Sequence, residues 1–365
     1  MTPFLPSNPA QELLLEYSIP QENDHIIILE GGKGWLASEI APHVPGGFVL
    51  TLDRDIRNIQ DSRILLQNNN NAKTGSGALP EENGWDLVLL TIPKERSFAR
   101  LLLLASFLAL NDGGRLLLAG PSRQGAKAVI KDAQRLFGNA TILGYRSHQR
   151  VAHCQKNTAV PKPLPKEFQS PGIAPGSVNK LTIDLPLGSL QLNTSPGIFS
   201  WKKFDQGSAL LLQHLDIDPN SVVWDVGCGY GILGLVAALS GAEQVLMSDT
   251  NILAVDYAQE NAKNNNLAEH VLIFPAVGLN LPPSISAPSQ VDLILSNPAF
   301  HQGRLVDKSM ADQIIRESTS LLKSGGRVLL VANRFLNYDK SMQPHFKSVS
   351  TIAKNNHYHV IEGRL

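Results

Sequence analysis

Ser221-Val222-Val223-Trp224-Asp225-Val226-Gly227-Cys228-Gly229-Tyr230-Gly231 decides the fold. Its first six residues are a short, largely apolar run closed by glycines, which reads as a buried strand. The spaced glycines let the chain turn sharply and bring backbone close to a ligand. Ile232 to Leu239 then continues as a helix. Several nucleotide-binding folds share such a loop, so its spacing matters. Here it is G-x-G-x-G behind an acid, Asp225, and not the G-x-G-x-x-G that cradles a pyrophosphate. Val245 to Met247 is the next strand, and Asp249 follows it. A carboxylate there suits the ribose hydroxyls of a nucleoside cofactor. Capping a helix is its other common use, and the glycine loop one strand earlier favours the ligand.

Working downstream, Asn251 to Asn264 reads as a helix, Val271 to Phe274 and Val291 to Leu295 as strands, and Asp307 to Leu322 as a further helix. Gly325-Gly326 then turns into the strand Arg327 to Ala332. Apolar strands alternating with helices specify an α/β, doubly wound, largely parallel sheet of Rossmann-like type. Such sheets bind ligands beyond the carboxyl ends of their strands, and Asn297-Pro298-Ala299-Phe300 sits at one of those ends. An exocyclic amine on a base is a poor nucleophile because its lone pair is delocalised into the ring. The Asn297 side-chain oxygen and the backbone carbonyl of Pro298 can accept its two hydrogens and aim a pyramidal nitrogen at a donor. Pro298 stiffens the loop in advance, and Phe300 offers a face on which a planar base can stack, typically worth ~1–3 kcal/mol.

Upstream, the plan repeats in worn form. Ile26 to Leu29 leads to Glu30-Gly31-Gly32-Lys33-Gly34, and Phe48 to Leu52 ends at Asp53. Trp85 to Leu90 matches Val291 to Leu295, and Asn111-Asp112-Gly113-Gly114-Arg115 matches Lys323-Ser324-Gly325-Gly326-Arg327. Four landmarks in the same order point to duplication, with Glu30 set against Asp225. Between the copies, Pro161, Pro163, Pro165, Pro171 and Pro175 make 156–178 an expected extended linker. The domains are therefore 1–155 and 179–365. The first copy carries Thr91-Ile92-Pro93-Lys94 in place of the Asn-containing tetrapeptide, and Lys33 and Trp35 in its glycine loop. It is expected to hold no cofactor and to position RNA or support the fold.

Two cysteines among 365 residues are too few for a disulfide framework and suggest a reducing compartment. Met1 to Pro6 lacks the pattern of a signal peptide, and Leu101 to Leu110, the most apolar segment, is too short for a membrane span. A soluble cytoplasmic protein is expected, with no membrane partner. The 32 basic and 32 acidic side chains cancel, which argues against nonspecific coating of nucleic acid but leaves room for a local RNA-contacting face. Scattered histidines give no metal site. His301 reads as a surface or loop-packing residue and Cys228 as a small filler without chemistry. Arg304, Lys308, Lys202 and Lys203 flank the site and are equally suited to phosphate contact and to solvated surface.

With these motifs in place, the second copy resembles the class I methyltransferases of the N-P-P-[FY] type. More closely it is similar to the bacterial guanine-N2 methyltransferases of small-subunit (16S) ribosomal RNA, the RsmC-like group. Gly197-Ile198-Phe199-Ser200, Asp205-Gln206-Gly207, Asp225 to Gly231, Ser296 to Gly303 and Val331 to Leu336 carry the likeness, strongly from about Leu181 onward. The resemblance implies tandem methyltransferase domains with only the second catalytic, S-adenosylmethionine as cofactor, and rRNA or the small ribosomal subunit as substrate. It implies cofactor contacts at Asp225, Gly227, Gly229 and Asp249, and catalytic roles for Asn297, Pro298 and Phe300. Ala299 replaces the usual second proline, and Phe274-Pro275-Ala276-Val277 offers no polar contact to adenine. The chain is expected to act as a monomer. A large-subunit rRNA guanine-N2 methyltransferase, a release-factor glutamine methyltransferase and a noncatalytic RNA-binding assembly protein remain as alternatives.

Overall fold

The computed structural model describes residues 9–157, 159–298, 301, 302, 306, 307 and 309–365. They form two units, one of 1–178 with Ser195–Gly197, the other of Asn179–Thr194 with Ile198–Leu365. In the first unit a helix α1 (Pro9–Tyr17) precedes β1 (His25–Leu29), α2 (Trp35–Ile40), β2 (Phe48–Leu52), α3 (Ile56–Leu66), β3 (Ala72–Thr74) and β4 (Trp85–Thr91). Then come α4 (Arg96–Ala109), β5 (Leu110–Pro121), α5 (Ala126–Phe137), β6 (Thr141–Arg146) and β7 (Gln149–Gln155).

In the second unit a hairpin of β8 (Asn179–Leu185) and β9 (Gly188–Thr194) is followed by α6 (Gln206–Leu212), β10 (Val222–Val226), α7 (Ile232–Leu239) and β11 (Gln244–Asp249). The chain continues through α8 (Ile252–Asn264), β12 (Val271–Pro275), β13 (Val291–Ser296), and the short pair β14 (His301–Gln302) and β15 (Val306–Asp307). It closes with α9 (Ser309–Leu321), β16 (Leu322–Asn333), α10 (Tyr338–Met342), β17 (Ser348–Lys354) and β18 (Tyr358–Arg364).

The expected duplication is visible in the topology. The first sheet runs β3-β2-β1-β4-β5-β7-β6 and the second β12-β11-β10-β13-β16-β18-β17. In each, the first five strands pair in parallel and the last two pairings are antiparallel. The central strands are buried on both faces, which is why they read as unbroken apolar runs. Small devices repeat as well. The Asp86 carboxylate accepts from the His25 backbone N–H and the Asp292 carboxylate from that of Val222, both at 2.9 and 2.8 Å respectively.

This register corrects one landmark. His25 stands where Val222 stands, so Ile28 occupies the position of Asp225 and Glu30 that of Gly227. The sequence match of Glu30 to Asp225 slipped by two residues because both are acids beside glycines, while a buried Ile carries no such marker. Proline-rich 156–178 also differs from a free extended linker, because it belongs with the first unit. Phe168 and Ile173 are buried, and one side chain such as Phe168 stabilises by about 1.5–3 kcal/mol. In the second unit, α8 holds the β8–β9 hairpin through amides one turn apart. Asn261 accepts from Asn193 N–H at 2.7 Å, and Asn265 from Gln191 N–H at 2.9 Å.

Candidate functional site

The glycine loop closes tightly onto the neighbouring strand. Gly227 and Cys228 N–H both donate to the Ser248 carbonyl, at 2.8 and 3.0 Å. Gly227 and Gly229 have φ of 75° and 56°, a region that favours glycine. A Cβ added at either would meet nothing within 4 Å, so the loop borders open space at the carboxyl ends of β10 and β11. Asp249 ties the parts together. Its Oδ2 accepts from Gly229 N–H at 2.9 Å and its Oδ1 from Asn251 N–H at 2.8 Å. It thus clamps the loop and the start of α8, and each carboxylate oxygen has a second lone pair in principle.

Asp225 lies beneath this loop with no solvent exposure. Its Oδ2 accepts from Gly234 N–H at 2.8 Å, inside the first turn of α7. Its Oδ1 has no hydrogen-bond partner among the described residues. Burial raises this carboxyl to about 7, against the opposing Gly234 bond, with the charge of Asp249 adding to the rise. Burying an unpaired carboxylate oxygen costs free energy, so a ligand that engages it would recover that cost. Cys228 is also buried, and burial pushes its thiol well above its ordinary value, with Asp249 and Asp225 adding to the shift. It stays protonated, consistent with a filler.

Asn297 follows β13 and is half-buried, with Pro298 buried behind it. Its Nδ2 donates to Asp205 Oδ2 and to Ser208 Oγ, both at 2.9 Å. Asp205 caps α6, its Oδ2 accepting from Ser208 N–H at 2.8 Å. An ionised carboxylate only accepts, so the nitrogen of the Asn297 amide must face Asp205 and the oxygen must face away. This leaves an acceptor fixed at the strand end beside the glycine loop. Gly207 makes the arrangement possible, because a Cβ there would lie 3.0 Å from Asp205 Oδ2 and 3.2 Å from the Tyr358 ring. Burial, and then the Asp205 charge, push the phenols of Tyr230 and Tyr358 up, so both remain neutral donors.

Phe300 and Ala299 lie outside the described residues, as do Arg304, Lys308 and the side chain of His301. Lys202 sits over the Trp201 ring at 5.0 Å and Lys203 is exposed. Asp205 and Ser208 are the site members whose role the motifs did not disclose. The Asp-Gln-Gly string marked Asp205 only, and nothing marked Ser208. Phe199 and Phe335 are large apolar side chains left exposed in segments flanking the site, at 62% and 51%. Among the described residues no group of three or more His, Cys, Asp or Glu could hold a metal ion, and no helix is long and apolar enough to cross a membrane.

The matching strand ends of the first unit are built differently. The loop clamp survives, with Gly32 N–H donating to Asp53 Oδ2 at 2.8 Å and Asp55 N–H to its Oδ1 at 2.8 Å. Ile28 replaces the buried acid, and Thr91 replaces Asn297 with its hydroxyl buried and unpartnered among the described residues. Glu30 holds φ 52° where the other unit has Gly227, placing a side chain where the second unit leaves space. Arg54 pairs with it at 3.4 Å and stacks on Phe98 at 4.4 Å. Arg54 also donates to the Gly197 carbonyl at 3.1 Å, while Glu95 accepts from Gly197 N–H at 3.0 Å. Trp35, expected to obstruct this site, packs against the core that α1 and α2 form with the sheet.

Comparison with known proteins places this geometry. The Methyltransferase small domain family matches residues 189–362. The ribosomal RNA small subunit methyltransferase C of Pseudomonas paraeruginosa is 32% identical over 281 residues, covering 77% of this chain and 79% of that protein. The chain belongs to the small-subunit ribosomal RNA methyltransferase C family. A Shewanella loihica member is 28% identical and aligns over 98% of this chain and 99% of its own. Both sheets are thus accounted for by one family. Among solved structures, the T. thermophilus 16S rRNA N2 methyltransferase RsmC, in complex with AdoMet and guanosine, superposes with a TM-score of 0.81 at 24% identity, covering 98% of this chain and 92% of that one. The fold of this family member is therefore a pair of Rossmann-like methyltransferase domains, the first degenerate.

Proposed function

We propose that the second unit transfers a methyl group from S-adenosylmethionine to the exocyclic N2 of a guanine in small-subunit (16S) rRNA. The observation that carries this reading is the pinned amide of Asn297, whose oxygen is left as an acceptor at the strand end beside an open glycine loop. The names of the relatives and the guanosine in the T. thermophilus structure support the choice of small-subunit rRNA and guanine.

S-Adenosylmethionine supplies a methyl on a sulfonium, so the chain contributes orientation and electrostatics. The residues fit that cofactor. Gly227 and Gly229 leave room for it, Asp249 clamps the loop at the strand end where ribose hydroxyls would lie, and the unpartnered Oδ1 of Asp225 suits its positive charge. Asn297 and the Pro298 carbonyl would accept the two amine hydrogens and turn the nitrogen lone pair toward the methyl. Phe300 would stack on the guanine once it has left its own stack. The first unit would bind no cofactor, its place being taken by Glu30 and Arg54, and would position RNA. The enzyme would work in the cytoplasm as a monomer.

Incubating the protein with methyl-labelled cofactor and separated small subunits, large subunits and protein fractions tests this reading. Label is expected on one guanine N2 of small-subunit rRNA. Label confined to large-subunit rRNA or to protein would overturn it.

A further inference from the structure

One face of the first unit departs from the charge balance of the chain. Helix α5 exposes Lys127, Lys131 and Arg135, each four residues after the last. At a rise of about 1.5 Å per residue they are spaced about 6 Å apart along one stripe, comparable to successive phosphates along a nucleic-acid strand. No exposed acid of the helix itself interrupts it. The helix's own carboxylate, Asp132, has no solvent exposure and is held by Arg96 and Arg100 of α4.

Arg96 uses Nε and Nη2 on Asp132, both at 2.8 Å, and Arg100 uses Nε at 2.8 Å. Burial alone would raise the Asp132 carboxyl, but the hydrogen bonds from Arg96 and Arg100 outweigh it and hold it below its usual range. It therefore stays ionised and keeps both guanidiniums in place. A guanidinium has five N–H donors, so each arginine keeps donors beyond those spent on Asp132, and the Arg96 side chain is 47% exposed. Among the described residues, the acids ion-paired with the five basic side chains Arg96, Arg100, Lys127, Lys131 and Arg135 are Asp132 and Glu167, the latter with Arg135, while Glu95 at the start of α4 accepts from Gly197 N–H. In a chain whose 32 basic and 32 acidic residues cancel, this surplus is local and ordered.

We propose that the α4–α5 face of the first unit is a docking ridge for the rRNA phosphate backbone, with Lys127 and Lys131 as its exposed contacts and the Asp132-braced arginines as its fixed ones. It rests on the proposed rRNA substrate and names the surface of the degenerate unit that would hold it. Phosphate contacts set register without reading bases, which is the kind of help a catalytic unit acting on one nucleotide needs.

The test compares the full chain with its K127E/K131E and K127Q/K131Q variants, binding small-subunit rRNA over a range of salt. Both substitutions lie on an exposed helix face of the first unit, and Asn297 and the cofactor loop belong to the second. Each phosphate contact contributes about 0.7–0.9 to the slope of log affinity against log salt. The glutamine pair should therefore lower that slope by about 1.4–1.8, and the glutamate pair by more. KM for subunit methylation should rise at least tenfold, while kcat and cofactor affinity stay unchanged. An unaltered slope and KM in both variants would overturn the ridge. A raised KM for the subunit with an unaltered salt slope on rRNA would overturn it in favour of a protein partner on the subunit. Failure of the substrate reading looks different, because the unsubstituted protein would then place no label on small-subunit rRNA.

Discussion

Replacing Asp225 with Asn should make the second unit more stable at alkaline pH while weakening its hold on the cofactor. The carboxyl is buried, and its folded value is about 7, against about 3.9 when exposed in the unfolded chain. Across the interval between these values the native chain binds the proton and the unfolded chain releases it. Stability therefore falls as pH rises from about 4 to about 7, and the loss is complete above about 7. Between about pH 5 and about pH 8 it amounts to about 3 kcal/mol. The variant lacks this titration, so the difference between variant and parent should grow by that amount over the same span. Urea unfolding of the cofactor-free protein at the two pH values measures it, and other titrating groups cancel in the difference. Cofactor binding should show the mirror image. A cationic ligand favours the ionised carboxylate, so binding should expel up to one proton below about pH 7, countable by calorimetry in buffers of different ionisation enthalpy. A pH-independent stability difference, together with no proton release, would refute the claim that Asp225 is a buried acid held for a cationic ligand.

Other outcomes follow from the same geometry. Asn297→Ala should lower methyl transfer by about 10²-fold or more, the scale of lost orientation, with cofactor affinity nearly intact by calorimetry; lost cofactor binding would mean Asn297 serves the loop. Asp205→Asn keeps a good helix cap but no longer forces the orientation of the Asn297 amide. We expect kcat to fall about tenfold with KM for RNA unchanged, and a matching rise in KM would point instead to an RNA contact. Calorimetry should find one cofactor site per chain, and two would refute the account of the first unit. Asp249→Asn should increase hydrogen exchange at Gly229 N–H, and Asp53→Asn should do the same at Gly32 N–H, where no cofactor is expected; no change at Gly32 would show that the clamp is incidental.

Much of the architecture was legible because parallel strands buried on both faces leave continuous apolar runs, and their ends must turn on glycine or proline. Val222 to Val226 and Val291 to Ser296 were readable for that reason. The register of the worn copy was not. Glu30 beside glycines imitated Asp225, and only the pairing of β1 with β4 shows that Ile28 is its true counterpart. Docking of 156–178 was hidden because it rests on two apolar side chains, Phe168 and Ile173, in a stretch whose composition is dominated by proline. In the site, glycines and Asn297 announced themselves, whereas Asp205 lies 92 residues from its partner in the chain and has no local signature beyond a helix cap.

The duplication also separates what the fold requires from what the chemistry requires. Asp86 and Asp292 hold the start of a neighbouring strand in both units, and Asp53 and Asp249 clamp a glycine loop in both. Carboxylates at these places are needed to close the sheet and its loop, whether or not a cofactor follows. Asp225 and Asn297, by contrast, are not kept in both units. Their counterparts are Ile28 and Thr91, and the strands around those residues pair in the same order and register. A buried carboxyl with an unpartnered oxygen is a cost that the first unit shows the fold can do without. Its retention only where the cleft is open, over Gly227 instead of Glu30, supports the proposal that it serves ligand binding. Asp249 by contrast serves two ends, so its loss alone cannot report on the cofactor, and the Asp225 and Asn297 variants are the ones that can.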